Sequence, residues 1–209
     1  MGWTSKIMAL GAAALTLLAS CKVDSDDVEY WKRSVKGPDR LAAVIGSDRY
    51  ASELRTEAAL AVVEMNRSDV DALSMLRKSL DDLRAEDPAS SQAIVSGMVP
   101  RLEALLSEGN TPDQNGPDPV QVRAKDAAYM VIPYAPEQQR DELIRSVVQW
   151  YSTDFEGRSL AGDYSAEQVT RAWGAEGAGQ LVAALHEKMT PAAMITIAEI
   201  IGDGGDAET

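Results

Sequence analysis

Apolar positions recur along this chain at spacings of three and four. Leu54, Ala58, Ala61, Val62 and Met65 fall on one face of a helix, as do Leu73, Leu76, Leu80 and Leu83. The same holds for Ile94, Met98, Val99, Leu102, Leu105 and Leu106, and for Leu143, Val147, Trp150 and Tyr151. The strict apolar/polar alternation of a half-buried strand is absent from every window. Helix starts are marked by a proline behind a turn or capping residue at Gly37-Pro38, Asp87-Pro88, Asp118-Pro119, Ala135-Pro136 and Thr190-Pro191. Ser68 with Asp71, and Ser165 with Gln168, have the spacing of capping boxes. These signals predict helices near 28–36, 38–46, 51–66, 69–85, 88–107, 119–132, 137–152, 165–173, 178–188 and 191–201. No segment reads as apolar all round, so each helix must bury one stripe against neighbours, which makes the expected fold class all-α.

The segments between the stripes are short, with two exceptions. Gly109 to Asp118 is rich in turn formers, and its oxygen-bearing residues lack the alternate acids and closing Glu of a calcium loop. Asp154 to Asp163 forms a second expected loop. The chain divides into residues 1–20, a connecting stretch 21–27, a helical domain 28–202 and an acidic tail 203–209.

Residues 1–21 differ in kind. Lys6 precedes an apolar run from Ile7 to Leu18, about twelve residues against the ~20 a spanning helix needs, so the run reads as a signal peptide. Leu18-Ala19-Ser20-Cys21 resembles the lipobox of bacterial lipoproteins, in which small residues admit a dedicated peptidase and the cysteine becomes the new amino terminus. That resemblance implies a diacylglyceryl group on the Cys21 thiol, an acylated amine and a bilayer as first partner, with two or more chains making the anchor effectively permanent. It also implies a cell-envelope location, and Lys22 rather than Asp after the cysteine favours the outer membrane, facing the periplasm, by the sorting rule of enterobacteria. With one cysteine in the chain, no intrachain disulfide can form.

Laid on itself, the chain shows a repeat. Arg40-Leu41-Ala42-Ala43-Val44-Ile45, a turn, and Glu53-Leu54-Arg55 to Ala59 align with Arg101-Leu102-Glu103-Ala104-Leu105-Leu106, a longer turn, and Gln121-Val122-Arg123 to Ala127. A weaker copy runs from Leu181 to Leu185 and into the helix from Pro191. The unit resembles the HEAT repeat, a pair of antiparallel helices that stacks into an α-solenoid, and Pro100 resembles the proline that bends the first helix of such units. The resemblance implies an irregular solenoid-like stack in which Arg55 and Arg123 form a ladder between repeats with Asp48 and Asp118.

Charge and chemistry change this picture only modestly. Asp plus Glu number 33 against 20 Lys plus Arg, a formal net of -13, which disfavours nucleic acid and leaves room for a basic protein partner. The sole histidine, His186, lies near a helix end where a cation suits the dipole. Adjacent acids such as Asp26-Asp27 and Asp81-Asp82 do not face each other on a helix. The sequence therefore points to no catalytic residue, metal or cofactor, and to no enzyme. Two aromatic groups stay open. Tyr30-Trp31-Lys32-Arg33 with Lys36 suits a lipid headgroup region, or else Val28, Trp31 and Val35 cap the first repeat. Trp150, Tyr151, Phe155 and Trp173 suit an interaction surface, or else the stripe with Leu143 and Val147 is core. The expected function is a lipid-anchored helical scaffold that binds protein. The other readings are a structural subunit of an envelope complex and a carboxylate-dependent hydrolase.

Overall fold

A computed structural model describes residues 23–65, 70–108, 116–183 and 189–204. Among these residues the protein is all-helical, with no strand. The α-helices are α1 (Ser25–Trp31), α2 (Gly37–Gly46), α3 (Ser52–Glu64), α4 (Ala72–Glu86), α5 (Pro88–Ser107), α6 (Pro119–Val131), α7 (Glu137–Thr153), α8 (Phe155–Arg158), α9 (Ala166–Ala183) and α10 (Pro191–Gly204), with a 3-10 turn at Ile132–Tyr134. Cys21, Ser68 and His186 lie outside the described residues, as do 205–209 of the acidic tail.

The capping signals act as their chemistry predicts. The carboxylates of Asp71, Asp87 and Asp118 accept N–H groups of Ser74, Ser90 and Val120, satisfying donors that a helix start leaves open. Ser165 and Gln168 close a reciprocal box at 2.8 and 3.2 Å. Pro136 is itself the cap of α7, one position earlier than Pro88, Pro119 and Pro191 stand in their helices. Pro100 lies inside α5, which runs as one helix through it. The expected connector 21–27 is shorter than its polarity suggested. Asp24 and Asp27 form a capping box that starts α1 at Ser25, and Val23 already packs against the core. The expected helix 28–36 ends at Trp31, since the chain turns at residues 32–36 before α2. The helices expected at 165–173 and 178–188 are joined, α9 running to Ala183 across a kink where Gly174 adopts φ 55°.

Helices α1 to α7 each pack against the next in sequence, and α1 to α5 and α7 also pack against the next but one. The sequential contacts α2–α3, α4–α5, α6–α7 and α9–α10 are joined by two rows, α2–α4–α6 and α3–α5–α7–α9, with α3 also crossing to α6. Every predicted stripe is buried, apart from Leu54 and Leu73, which are half-buried. Burying a large apolar side chain contributes about 1.5–3 kcal/mol, and all ten described α-helices place residues in this core. Two helices exceed the one-stripe expectation. Ala58, Ala59, Ala61, Val62 and Val63 of α3, and residues 124–128 of α6, are all buried, because these central helices are covered on several sides and alanine permits the close approach.

Candidate functional site

The central position of α6 forces two adjacent ionisable residues out of water. Lys125 and Asp126 have side chains 0% and 3% exposed and are hydrogen-bonded to each other. Neighbours on a helix diverge, but the long lysine stem lets the ammonium swing back to the carboxylate beside it. The remaining capacity of both groups goes to backbone. Lys125 Nζ donates to the carbonyls of Ala161 and Tyr164 at 2.7 and 2.6 Å, and Asp126 accepts the N–H groups of Asp163 and Tyr164 at 3.0 and 3.2 Å. Burial lowers the Lys125 pKa and raises that of Asp126, and their mutual attraction opposes both shifts.

The pair clamps the loop between α8 and α9 onto the body. Gly162 in that loop has φ +82°, and a Cβ there would stand 2.3 Å from Asp126 Oδ2, so glycine is required on both counts. The Tyr151 hydroxyl donates to the Tyr164 carbonyl at 2.5 Å, and burial pushes that phenol well above its ordinary range. Arg158, fully buried, lies over the Trp150 ring at 4.9 Å and donates to the Trp150 carbonyl at 3.0 Å. Tyr134 does related work at the end of α6, donating to Asp81 at 2.6 Å, and burial together with that bond pushes its pKa up to about 12.

A cavity of about 660 Å³ opens beside the clamp, between the end of α3, the starts of α4 and α6, and the loop at Gly162. Its charged walls are Arg123, Asp71, Asp126 and Asp163. Asp71 caps α4 and Asp126 holds the clamp, so both carboxylates are committed to the fold. The cavity offers apolar wall from Met65, Val70, Leu73 and Val122, with one cation set among acids. Among the described residues no three His, Cys, Asp or Glu side chains converge as a metal site would need.

The arginines of the repeat behave alike, but not as the expected ladder. Arg55, 5% exposed, donates Nε to the Ile45 carbonyl at 2.8 Å, and Arg123 donates Nε to the Val63 carbonyl at 3.1 Å. Each satisfies a carbonyl in the last turn of a helix, where a cation also meets the negative end of the dipole. Asp48 is exposed in the turn after α2 and forms no ion pair with Arg55, whose charge is felt instead by Asp87, the cap of α5. Asp118 is spent on the α6 cap, but its charge partly offsets the burial that lowers the Arg123 pKa. The copies also reach differently, since Arg55 bonds its own hairpin partner α2 whereas Arg123 crosses to α3.

Burial overturns the aromatic surface. Trp150, Tyr151 and Phe155 are 0%, 2% and 4% exposed, because they point along the α7 stripe and from α8 into the core. Trp173 is partly buried, its ring 5.5 Å from that of Tyr129. Of the N-terminal group, Val28 and Trp31 are core, while Tyr30 and Val35 are exposed. The clamp residues Lys125, Asp126, Arg158 and Gly162 went unmarked in the sequence. The signal that could have found them is the Ala-rich center of α6, since charges beside alanines packed that closely have no route to solvent.

No protein-family model, curated protein or solved structure matches this chain. No helix among the described residues is long and apolar enough to cross a membrane.

Proposed function

We propose that this protein is an envelope lipoprotein, anchored through acylated Cys21, whose domain is an irregular HEAT-like α-solenoid that serves as a protein-binding scaffold rather than an enzyme. The observation that carries the scaffold reading is the neighbour pattern, two rows of helices, α2–α4–α6 and α3–α5–α7–α9, joined by contacts between helices consecutive in sequence. Stacks of that kind extend by repetition and expose long faces built from successive helices. The use of the ionisable groups supports the same reading. Lys125, Asp126 and Asp71 are consumed in holding loop and helix ends, and catalysis needs groups left available to a reacting atom. Exposed apolar side chains gather on the last two helices, at Val182, Met194 and Ile195, where the stack presents its end.

The anchor reading rests on Leu18-Ala19-Ser20-Cys21, and places the domain in the envelope, at the outer membrane facing the periplasm. The partner would be a protein, and the net charge of -13 favours a basic one over nucleic acid. The test is site-specific photo-crosslinking in intact cells from positions 182, 194 and 195. A discrete adduct, lost on Ile195→Asp and weakened by added salt, is expected. Absence of any adduct, with turnover of a small substrate that disappears on changing one carboxylate, would reject the scaffold. For the anchor, Cys21→Ala should move the protein from the detergent phase to the aqueous phase, and equal retention would defeat that part.

A further inference from the structure

The corner between α1 and α2 is built unlike the rest of the surface. The chain reverses there through hydrogen bonds from Arg33 N–H to the Tyr30 carbonyl, from Ser34 to Trp31 and from Gly37 to Ser34. Trp31 plugs the corner into the core, and a Cβ on Gly37 would fall 1.7 Å from the Trp31 carbonyl oxygen, so glycine is what lets the turn close. A corner this tightly tied holds its outward residues in place. Those residues are Tyr30, 67% exposed, and Val35, 85% exposed, with the exposed cations Arg33 and Lys36 between and beside them. Residues 28–40 carry four cations against two acids in a chain of net charge -13. Two apolar or amphipathic tips flanked by cations form the composition that partitions into a headgroup layer.

We infer that this corner, with Tyr30 and Val35 as its tips and Arg33 and Lys36 as its cations, rests on an anionic bilayer surface and fixes the domain's orientation there. The inference depends on the lipoprotein reading of Cys21, and chain length then supplies the occupant. Val23 already packs on the core, so two residue steps, roughly 7 Å of extended chain, separate a lipidated Cys21 from the folded body. A domain held that closely must put some surface against the membrane. Helix α1 carries the chain only about 10 Å further before the corner, which keeps Tyr30 and Val35 within reach of the same interface. At the near end the opposing acids are Asp24, Asp26, Asp27 and Glu29; Asp24 accepts the N–H groups of Asp26 and Asp27, Asp27 accepts that of Asp24, and Glu29 is paired to Lys32 and Arg33.

Acylation consumes the only native thiol, so Val35→Cys and, separately, Leu160→Cys each introduce a single cysteine that takes a nitroxide label. Both positions are exposed, so neither change burdens the core, and Tyr30→Cys provides a second reporter at the corner. The full-length acylated protein is reconstituted in vesicles of phosphatidylethanolamine with one part in four phosphatidylglycerol. Labels at 35 and 30 should become accessible to oxygen and shielded from a water-soluble nickel chelate, while the label at 160 stays aqueous. Arg33→Glu or Lys36→Glu should reduce the immersed fraction roughly fivefold or more, the worth of a cation near an anionic surface. Intact mass of the mature protein reads the anchor independently. An acylated protein whose labels at 35 and 30 are as aqueous as at 160 overturns the corner and leaves the lipoprotein reading standing. Absence of acyl mass overturns the lipoprotein reading, and the inference falls with it. Labels at 35 and 30 shielded from oxygen as well as from the chelate assign the corner to protein contact and also overturn the inference.

Discussion

Two regions of this protein use ion pairs to join distant segments, and they do so in opposite ways. Near the N-terminus, Glu64 at the end of α3 lies between Lys32 at the end of α1, at 2.8 Å, and Arg101 of α5, at 3.1 Å, and Lys32 also meets Glu29. Lys32, Glu64 and Arg101 keep 21% to 43% of their side-chain surface in water along the tie. At α6 the Lys125–Asp126 pair has given up nearly all of its hydration, and four backbone groups of one loop replace it. The wet tie can lose a member and let water take its place. The dry one cannot, because a lone charge left in the core has no solvent to turn to. Partial hydration makes the first a modest, tunable contact, and full burial makes the second a condition of the fold.

The largest effect should come from breaking the dry pair. Lys125→Met leaves the Asp126 carboxylate buried without its cation, and a loss of about 3–5 kcal/mol is expected in urea unfolding, with the amides of Asp163 and Tyr164 losing protection against hydrogen exchange. A loss near that of the wet tie would mean the pair is hydrated in solution. Arg55→Ala should come next at ~1.5–3 kcal/mol, since it removes a buried charge-assisted bond to a helix-end carbonyl. Arg123→Ala, at a half-buried site, should cost less, and equal melting of both variants would cancel that ranking. Gly162→Ala combines a left-handed backbone with a clash against Asp126, and should cost more than ~1 kcal/mol by thermal unfolding. Native melting of that variant would mean the loop is held elsewhere.

The wet tie should give the smallest effect, under about 1 kcal/mol for Glu64→Gln, and the effect should shrink with added salt. Its pH dependence has a definite sign. Burial raises the Glu64 pKa, but the bonds from Lys32 and Arg101 outweigh it and bring the folded value below 4.5. Its contribution is therefore complete above the unfolded carboxylate value and disappears as pH falls through the depressed folded value. For Lys32 burial is likewise outweighed by Glu29 and Glu64, so its pKa stands above 10.5. That contribution is complete below 10.5 and disappears as pH rises through the folded value. Comparing wild type with Glu64→Gln by chemical denaturation from pH 3 to 6 should show the difference growing over that range, and a flat difference would remove Glu64 from the tie.

The helix map was legible because its signals are local. A proline, an aspartate and an apolar stripe act within one or two turns, so Asp87-Pro88 could be read as the start of α5, and Ile94 to Leu106 as its buried face, without knowledge of any neighbour. The roles of Arg55 and Arg123 were half legible. Their place in the repeat marked them as structural, but whether the acceptor is the carboxylate of Asp48 or the carbonyl of Ile45 depends on side-chain reach across a turn. Trp150 shows the limit from the other side, since residue type suited a surface and core equally until burial decided it.

Local pattern by itself determined an all-helical chain, its caps, its stripes and the polarity of its charge. Tertiary structure alone decided that α3 and α6 run through the middle, because being covered on several sides is a property of the stack and not of a helix. From that followed the dehydrated Lys125–Asp126 pair, the loop it holds and the glycine that loop requires. Hydration is lost only where separate segments converge, and periodicity along one segment carries no record of what the others will cover.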